Sequence, residues 1–197
     1  MLISPLAHYF YNNVLESYQK QRIETFLGTN NSEELYQNED FNRQMSILAV
    51  GSGRVFGKGF LNGNIVNSRL LPFAYTDFAF AGFSEQFGFA GSMLIIALYF
   101  LLFIHIFRVY YRTKNTFYKL LCIGTIALIF FNSAQHIAMN LGLTPITGVP
   151  LPLISYGGSS ILATFIALGI INSIDTVKDS EVQINKLDSN YGFGIES

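Results

Sequence analysis

The stretch LLPFAYTDFAFAGFSEQFGFAG, residues 70–91, carries two carboxylates, Asp77 and Glu85, immediately ahead of a long apolar run. A lone carboxylate at such a boundary suits general-base chemistry, in which it takes the proton of a hydroxyl that attacks a neighbouring electrophile. A close carboxylate pair would offer an acid as well as a base. In a helix, however, eight residues put the two groups about 12 Å apart along the axis and about 80° apart around it. They then do not form a dyad. The plain alternative for Asp77 is structural: an acid in the first helical turn caps free N–H groups and meets the helix dipole, worth about 0.5–2 kcal/mol.

Two glycine-rich stretches compete for attention. AVGSGRVFGKGF, residues 49–60, ends in a lysine and invites a phosphate-loop reading, but Ser52 stands where a Walker loop needs glycine and Gly59 where it needs Ser or Thr. A dinucleotide fingerprint beginning at Gly51 fails at Phe56. What remains is a tight turn with exposed N–H groups and two cations, Arg54 and Lys58, able to meet a phosphate; the bland reading is a glycine turn with two solvated cations. GLTPITGVPLPLISYGGSS, residues 142–160, holds Pro145, Pro150 and Pro152 and no charge. The prolines forbid a continuous helix. Apolar, non-helical backbone of this kind is expected to dip into the protein as a re-entrant loop, with Ser155, Ser159 and Ser160 lining a polar cavity. A tight turn capped by Ser155 or Ser159 is the alternative. Asn132, His136 and Asn140 recur every fourth residue and share a helix face, either for interhelical hydrogen bonds or for substrate. His8, His105 and His136 are too scattered for a zinc site, and no G-x-S-x-G nucleophile motif occurs.

The elements that must position these residues follow from composition. Half of the 197 residues are hydrophobic and 13% are charged, and no acid lies between Glu85 and Asp175. Three apolar segments in that acid-free region, 88–108, 120–140 and 157–174, are each near the ~20 residues that cross a ~30 Å hydrocarbon core. The chain reads as an all-α integral membrane protein. The loop RVYYRTKNTFYK packs Arg108, Arg112, Lys114 and Lys119 between the first two spans, and short basic loops stay in the cytoplasm. Asp77 and the 141–155 link are then extracytoplasmic. Of the earlier basic residues, only Arg69 lies near the membrane. Residues 1–87 read as an extracytoplasmic segment that includes the end of a preceding helix, with helical spacing of Val14, Leu15, Tyr18, Arg22 and Phe26. Residues 175–197 are polar and aperiodic, which predicts a disordered cytoplasmic tail. The start MLISPLAHYFYNN lacks a basic n-region and a cleavage site, so it does not read as a signal peptide. The single cysteine, Cys122, allows no intrachain disulfide, and a net charge of −1 names no nucleic-acid partner.

YQKQRIETFLG, AVGSGRVFGKGFLNG, LPFAYTDFAFAGFSEQFGFAG and LTPITGVPLPLISYGGSSILATFIALGI occur in the order and approximate spacing of the carboxy-terminal part of the SEDS (shape, elongation, division and sporulation) proteins, the FtsW/RodA/SpoVE group. The chain resembles that family from about Tyr18 to Ile174. The resemblance implies a ten-helix fold of which the three spans are the last three. It also implies an amino-terminal half not contained in this chain, and residence in the bacterial cytoplasmic membrane. Departures are visible: the family often has glutamate and histidine at Phe73 and Tyr75, glycine at Arg54, asparagine at His136, and glutamine near Met45.

The family polymerises lipid II into peptidoglycan glycan strands, usually beside a class B penicillin-binding protein. The resemblance therefore implies lipid II, the growing strand, membrane lipids and such a protein as partners, for elongation, division or sporulation. It maps the family's essential aspartate onto Asp77 as general base. Lys58, Arg54 and Arg22 become candidates for the pyrophosphate, with Thr76, Glu85, Ser155 and Ser159 as further substrate contacts. A divalent cation is a candidate helper and no other cofactor is implied. The alternatives are a lipid II flippase, or a non-catalytic scaffold or inactive fragment that binds a penicillin-binding protein.

Overall fold

The computed structural model describes residues 16, 19–20, 22–23, 33–68 and 70–191. The expected amphipathic stretch at 13–27 lies largely outside them, as do Arg69 and His8. The described residues form helices and turns without a strand. Helix α1 covers Glu33–Ser52, a short α2 covers Asn64–Asn67, and α3 (Ala79–Arg112), α4 (Thr116–Asn140) and α5 (Gly158–Tyr191) are long. Three segments, Ala79–Arg112, Thr116–Asn140 and Gly158–Thr176, are long and apolar enough to cross a membrane.

Packing follows helical period. On α3, Ile95, Tyr99, Ile106 and Val109 are buried, and on α4, Cys122, Thr125, Ile129, Ser133, His136 and Asn140. These stripes face one another, with Leu151, Ile171 and Ile174 closing the same core. Small and hydroxyl-bearing residues in the α4 stripe let two helices approach closely where lipid supplies no hydrophobic drive. Leucines and phenylalanines such as Leu98, Phe100, Phe131 and Phe165 remain exposed on the outside of the bundle, as a lipid-facing surface requires. A second cluster of Ala49, Ile65, Leu71, Ala74, Phe78 and Ala81 ties α1 and α2 to the start of α3.

Local chemistry sets the helix ends. Asn115 caps α4, its side chain accepting from Phe117 N at 2.9 Å. At the other end Gly142, at φ 74°, lets Leu143 N return to Ala138 O at 2.9 Å. The last helix departs from expectation: where a disordered tail is predicted after residue 174, α5 continues to Tyr191. No glycine or proline lies between Gly169 and Gly192, and extending an established helix is far easier than starting one.

Helix α3 is broken at Gly88, whose φ 69° and ψ −163° are non-helical. The groups freed there are taken up by the glycine-rich turn: Phe89 N donates to Arg54 O at 2.8 Å and Ala90 N to Val55 O at 2.9 Å, while Lys58 N and Gly59 N donate to Glu85 O and Gln86 O at 3.0 Å. The turn can enter only because its glycines lack side chains. A Cβ on Gly53 would strike the Ser84 carbonyl, and one on Gly57 the Gln86 carbonyl. The N–H groups expected to be exposed for an anion are thus partly consumed by α3. Gly88→Ala should be destabilising twice over, by about 1–3 kcal/mol of backbone strain and by collision with Val55 and Gly57. A lowered thermal midpoint of the purified protein checks it.

Candidate active site at the Asp77 end of the bundle

Asp77 lies in the turn that precedes α3, one residue before the N-cap Phe78. The turn is built on Phe73, a bulky residue held at φ 58°. Its carbonyl accepts from Thr76 N at 3.0 Å, Asp77 N at 3.1 Å and Phe78 N at 3.2 Å. Strain of this kind persists only where surrounding contacts over-determine it, and here they do. Asn140 Nδ2 donates to Asp77 O at 3.1 Å, and Ser155 Oγ donates to Thr76 O at 2.8 Å. Tyr156 N donates to Tyr75 O at 2.9 Å. The three residues Tyr75, Thr76 and Asp77 are therefore held by backbone-directed bonds from α4 and from the 141–157 link.

The carboxylate itself is half-buried and faces that link. Gly148, at φ 68°, lies beside it: a Cβ there would stand 3.9 Å from Oδ1 and 4.0 Å from Oδ2. The link is in turn fixed to the bundle. His136, fully buried, shares a 2.7 Å hydrogen bond between Nδ1 and Val149 O, and its Nε2 accepts from Phe80 N at 3.4 Å. Tyr99 OH donates to Pro152 O. Ser155 Oγ accepts from Leu151 N at 2.9 Å, and Arg22 Nη1 donates to Ile146 O at 2.6 Å.

The four-residue spacing of α4 now has a local purpose. Asn140 Oδ1 accepts from Ala81 N at 3.1 Å, and its Nδ2 also donates to His136 O at 2.8 Å. His136 and Asn140 together satisfy N–H groups at the start of α3 that no helical carbonyl can reach. Asn140→Ala should leave Ala81 N and Asp77 O without these partners. At about 1–3 kcal/mol for each buried unsatisfied group, thermal melting should fall clearly, and more than for a substitution at lipid-facing Phe131.

The remaining sequence candidates divide. Glu85 is fully buried: Oε1 accepts from Lys58 Nζ at 2.7 Å and Ile65 N at 2.9 Å, and Oε2 from Val66 N at 3.2 Å. It crosslinks the glycine turn and α2 to α3, so Lys58 and Glu85 meet each other. Arg54 is exposed on the same turn, at φ 50°. Arg22 reaches the link through Ile146. Thr76 and Ser155 join beside Asp77, whereas Ser159 is exposed on the first turn of α5. Neither Ser155 nor Ser159 takes that helix's first bond, which runs from Ile161 N to Gly157 O at 2.9 Å. Among the described residues no three His, Cys, Asp or Glu side chains group as metal ligands. Gly148 escaped the sequence reading; its one signal is a glycine between Thr147 and Val149 in a proline-rich link.

Residues 1–180 match the FtsW/RodA/SpoVE cell cycle protein family. The chain is 39% identical over 175 residues to the peptidoglycan glycosyltransferase MrdB of Helicobacter pylori, covering 88% of this chain and 43% of that protein. It is 37% identical over 162 residues to the peptidoglycan glycosyltransferase RodA of Treponema pallidum, covering 82% and 37%. A solved chain from a peptidoglycan synthase complex that coordinates polymerization and crosslinking matches with a TM-score of 0.62 and 28% identity, over 86% of this chain and 46% of that one. The chain thus spans less than half the length of these relatives.

Proposed function

Because the chain belongs to the FtsW/RodA/SpoVE family, we propose that it forms the carboxy-terminal, catalytic part of a peptidoglycan glycosyltransferase that polymerises lipid II. In this reading α3, α4 and the first half of α5 are the last three of ten membrane helices in the bacterial cytoplasmic membrane. Asp77 sits on the extracytoplasmic face, and the 141–157 link re-enters the protein there. The observation that carries the reading is the half-buried Asp77 carboxylate facing Gly148, with its backbone clamped by Asn140 and its neighbour Thr76 by Ser155.

The chemistry needs one base and no enzyme nucleophile. The 4-hydroxyl of one lipid-linked sugar gives its proton to Asp77 as its oxygen bonds to the anomeric carbon of the other. The bond from that carbon to the pyrophosphate oxygen breaks, and the lipid pyrophosphate leaves with the electron pair, inverting the anomeric centre. Arg54, exposed on the glycine turn, meets the charge that develops on the pyrophosphate. Lys58 is committed to Glu85 and acts mainly by holding that turn. Arg22 and Ser155 hold the link that walls the carboxylate. A class B penicillin-binding protein is the crosslinking partner in this reading.

The test is glycan-strand synthesis from purified lipid II by the assembled complex carrying Asp77→Ala. Lost synthesis with undiminished recovery of the transpeptidase partner supports the reading; unchanged synthesis removes the base role.

A further inference from the structure

Two aromatic residues whose backbone is tied to the Asp77 turn are left bare. Tyr75 is 74% exposed and Tyr156 80% exposed. Both arise from ordered backbone: Tyr156 N is bonded to Tyr75 O, and the adjacent residues are joined by Ser155 Oγ and Thr76 O. The same two bonds therefore fix the backbone of both tyrosines against the turn that carries Asp77, two residues after Tyr75. Large aromatic side chains carry strong apolar contact surface and a polar tip, and polar tethers of this kind are not needed merely to leave a ring in solvent.

We infer that Tyr75 and Tyr156 form a saccharide-stacking rim, on which a sugar ring of the lipid-linked substrate lays its C–H face while its hydroxyl is presented to Asp77. This inference rests on the proposed glycosyl transfer and names the part of the substrate that is recognised. A pyranose suits the rim because one face is lined with C–H groups and its edge with hydroxyls. The ring face contacts the C–H groups, and the phenol tips and the nearby carboxylate remain for the hydroxyls. The two tyrosines come from separate segments, the turn before α3 and the link before α5, so their joint position depends on the same closure that brings Gly148 to Asp77.

The experiment measures binding in the assembled complex carrying Asp77→Asn, so that turnover does not consume the probe. Two probes are compared, lipid II and a polyprenyl pyrophosphate that has no sugar. Tyr75→Ala and Tyr156→Ala should each weaken lipid II binding about fivefold, the size expected for one lost aromatic contact. Binding of the sugar-free lipid should stay unchanged. Tyr75→Phe and Tyr156→Phe, which keep the ring and preserve folding, should retain most lipid II affinity. Equal weakening for both lipids would mean the tyrosines anchor the protein at the bilayer surface, and no weakening for either would mean they touch nothing of the substrate; both results overturn the inference. Strand synthesis that persists in Asp77→Asn would instead overturn the base assignment, so the two failures read out separately.

Discussion

Glu85→Ala should collapse the Asp77 end of the protein. The side chain is the single acceptor that joins three parts: the Lys58 ammonium on the glycine turn, and Ile65 N and Val66 N on α2. Its removal strands two backbone donors and leaves a partly buried lysine without its counter-charge. Breaking a buried ion pair by deleting one partner costs about 3–5 kcal/mol, against a total stability of about 5–15 kcal/mol for a typical domain. Gly63 adds a packing penalty, since its Cα lies so close that a Cβ would be 2.8 Å from Oε2. The void left by Ala has no neighbouring side chain to fill it from that side. Lys58→Met should cost less, because Glu85 keeps both backbone donors. The order of thermal midpoints, wild type above Lys58→Met above Glu85→Ala, checks the assignment, together with faster proteolysis within residues 53–67 in Glu85→Ala. Equal midpoints would contradict the assignment of Glu85 as the crosslink.

Asp77→Asn should have the second large effect, on rate and not on fold. The amide fills the same volume, and the bond from Asn140 goes to the backbone carbonyl of Asp77, which the substitution retains. What is lost is proton acceptance. A positioned general base contributes about 10²–10⁴-fold, so strand synthesis should fall by at least about 100-fold with an unchanged melting curve. Asp77→Glu tests placement: one added methylene moves the carboxylate by about 1 Å or more, which is enough to cost about 100-fold when geometry is set this tightly. A melting shift in Asp77→Asn without a loss of turnover would make Asp77 a helix-capping residue.

The membrane helices were legible because their signal is local. An acid-free stretch from Glu85 to Asp175 and three apolar runs define them, and the helix carrying the first run begins earlier, at Ala79, with a break at Gly88. The shared face of His136 and Asn140 was legible for the same reason, since period alone places them together. What they bind was not, because Phe80 N and Ala81 N lie 56 and 59 residues away in sequence.

Glu85 shows the limit most clearly. Eight residues after Asp77, it is a further substrate contact by the family resemblance. Its partner Lys58 lies 27 residues away, on a turn whose path is set by a break in α3. Neither sequence reading of that turn, phosphate-meeting or a glycine turn with solvated cations, includes that break, because glycine at 88 permits a kink without requiring one. The final helix was misjudged for a different reason: polarity lowers the drive to pack, but polar residues such as Lys186 and Gln183 remain good helix formers.

The account depends most on which side of the membrane the Asp77 turn occupies. A single cysteine at Tyr75, with a membrane-impermeant maleimide added to intact cells, measures this directly; native Cys122 is fully buried and adds little background. A matching cysteine at Tyr111, 79% exposed at the opposite end of α3, supplies the control. Labelling of Tyr75→Cys from outside, with Tyr111→Cys reacting only after permeabilisation, is the predicted result. The reverse pattern would put the carboxylate in the cytosol, away from the proposed site of strand synthesis, and would contradict the account.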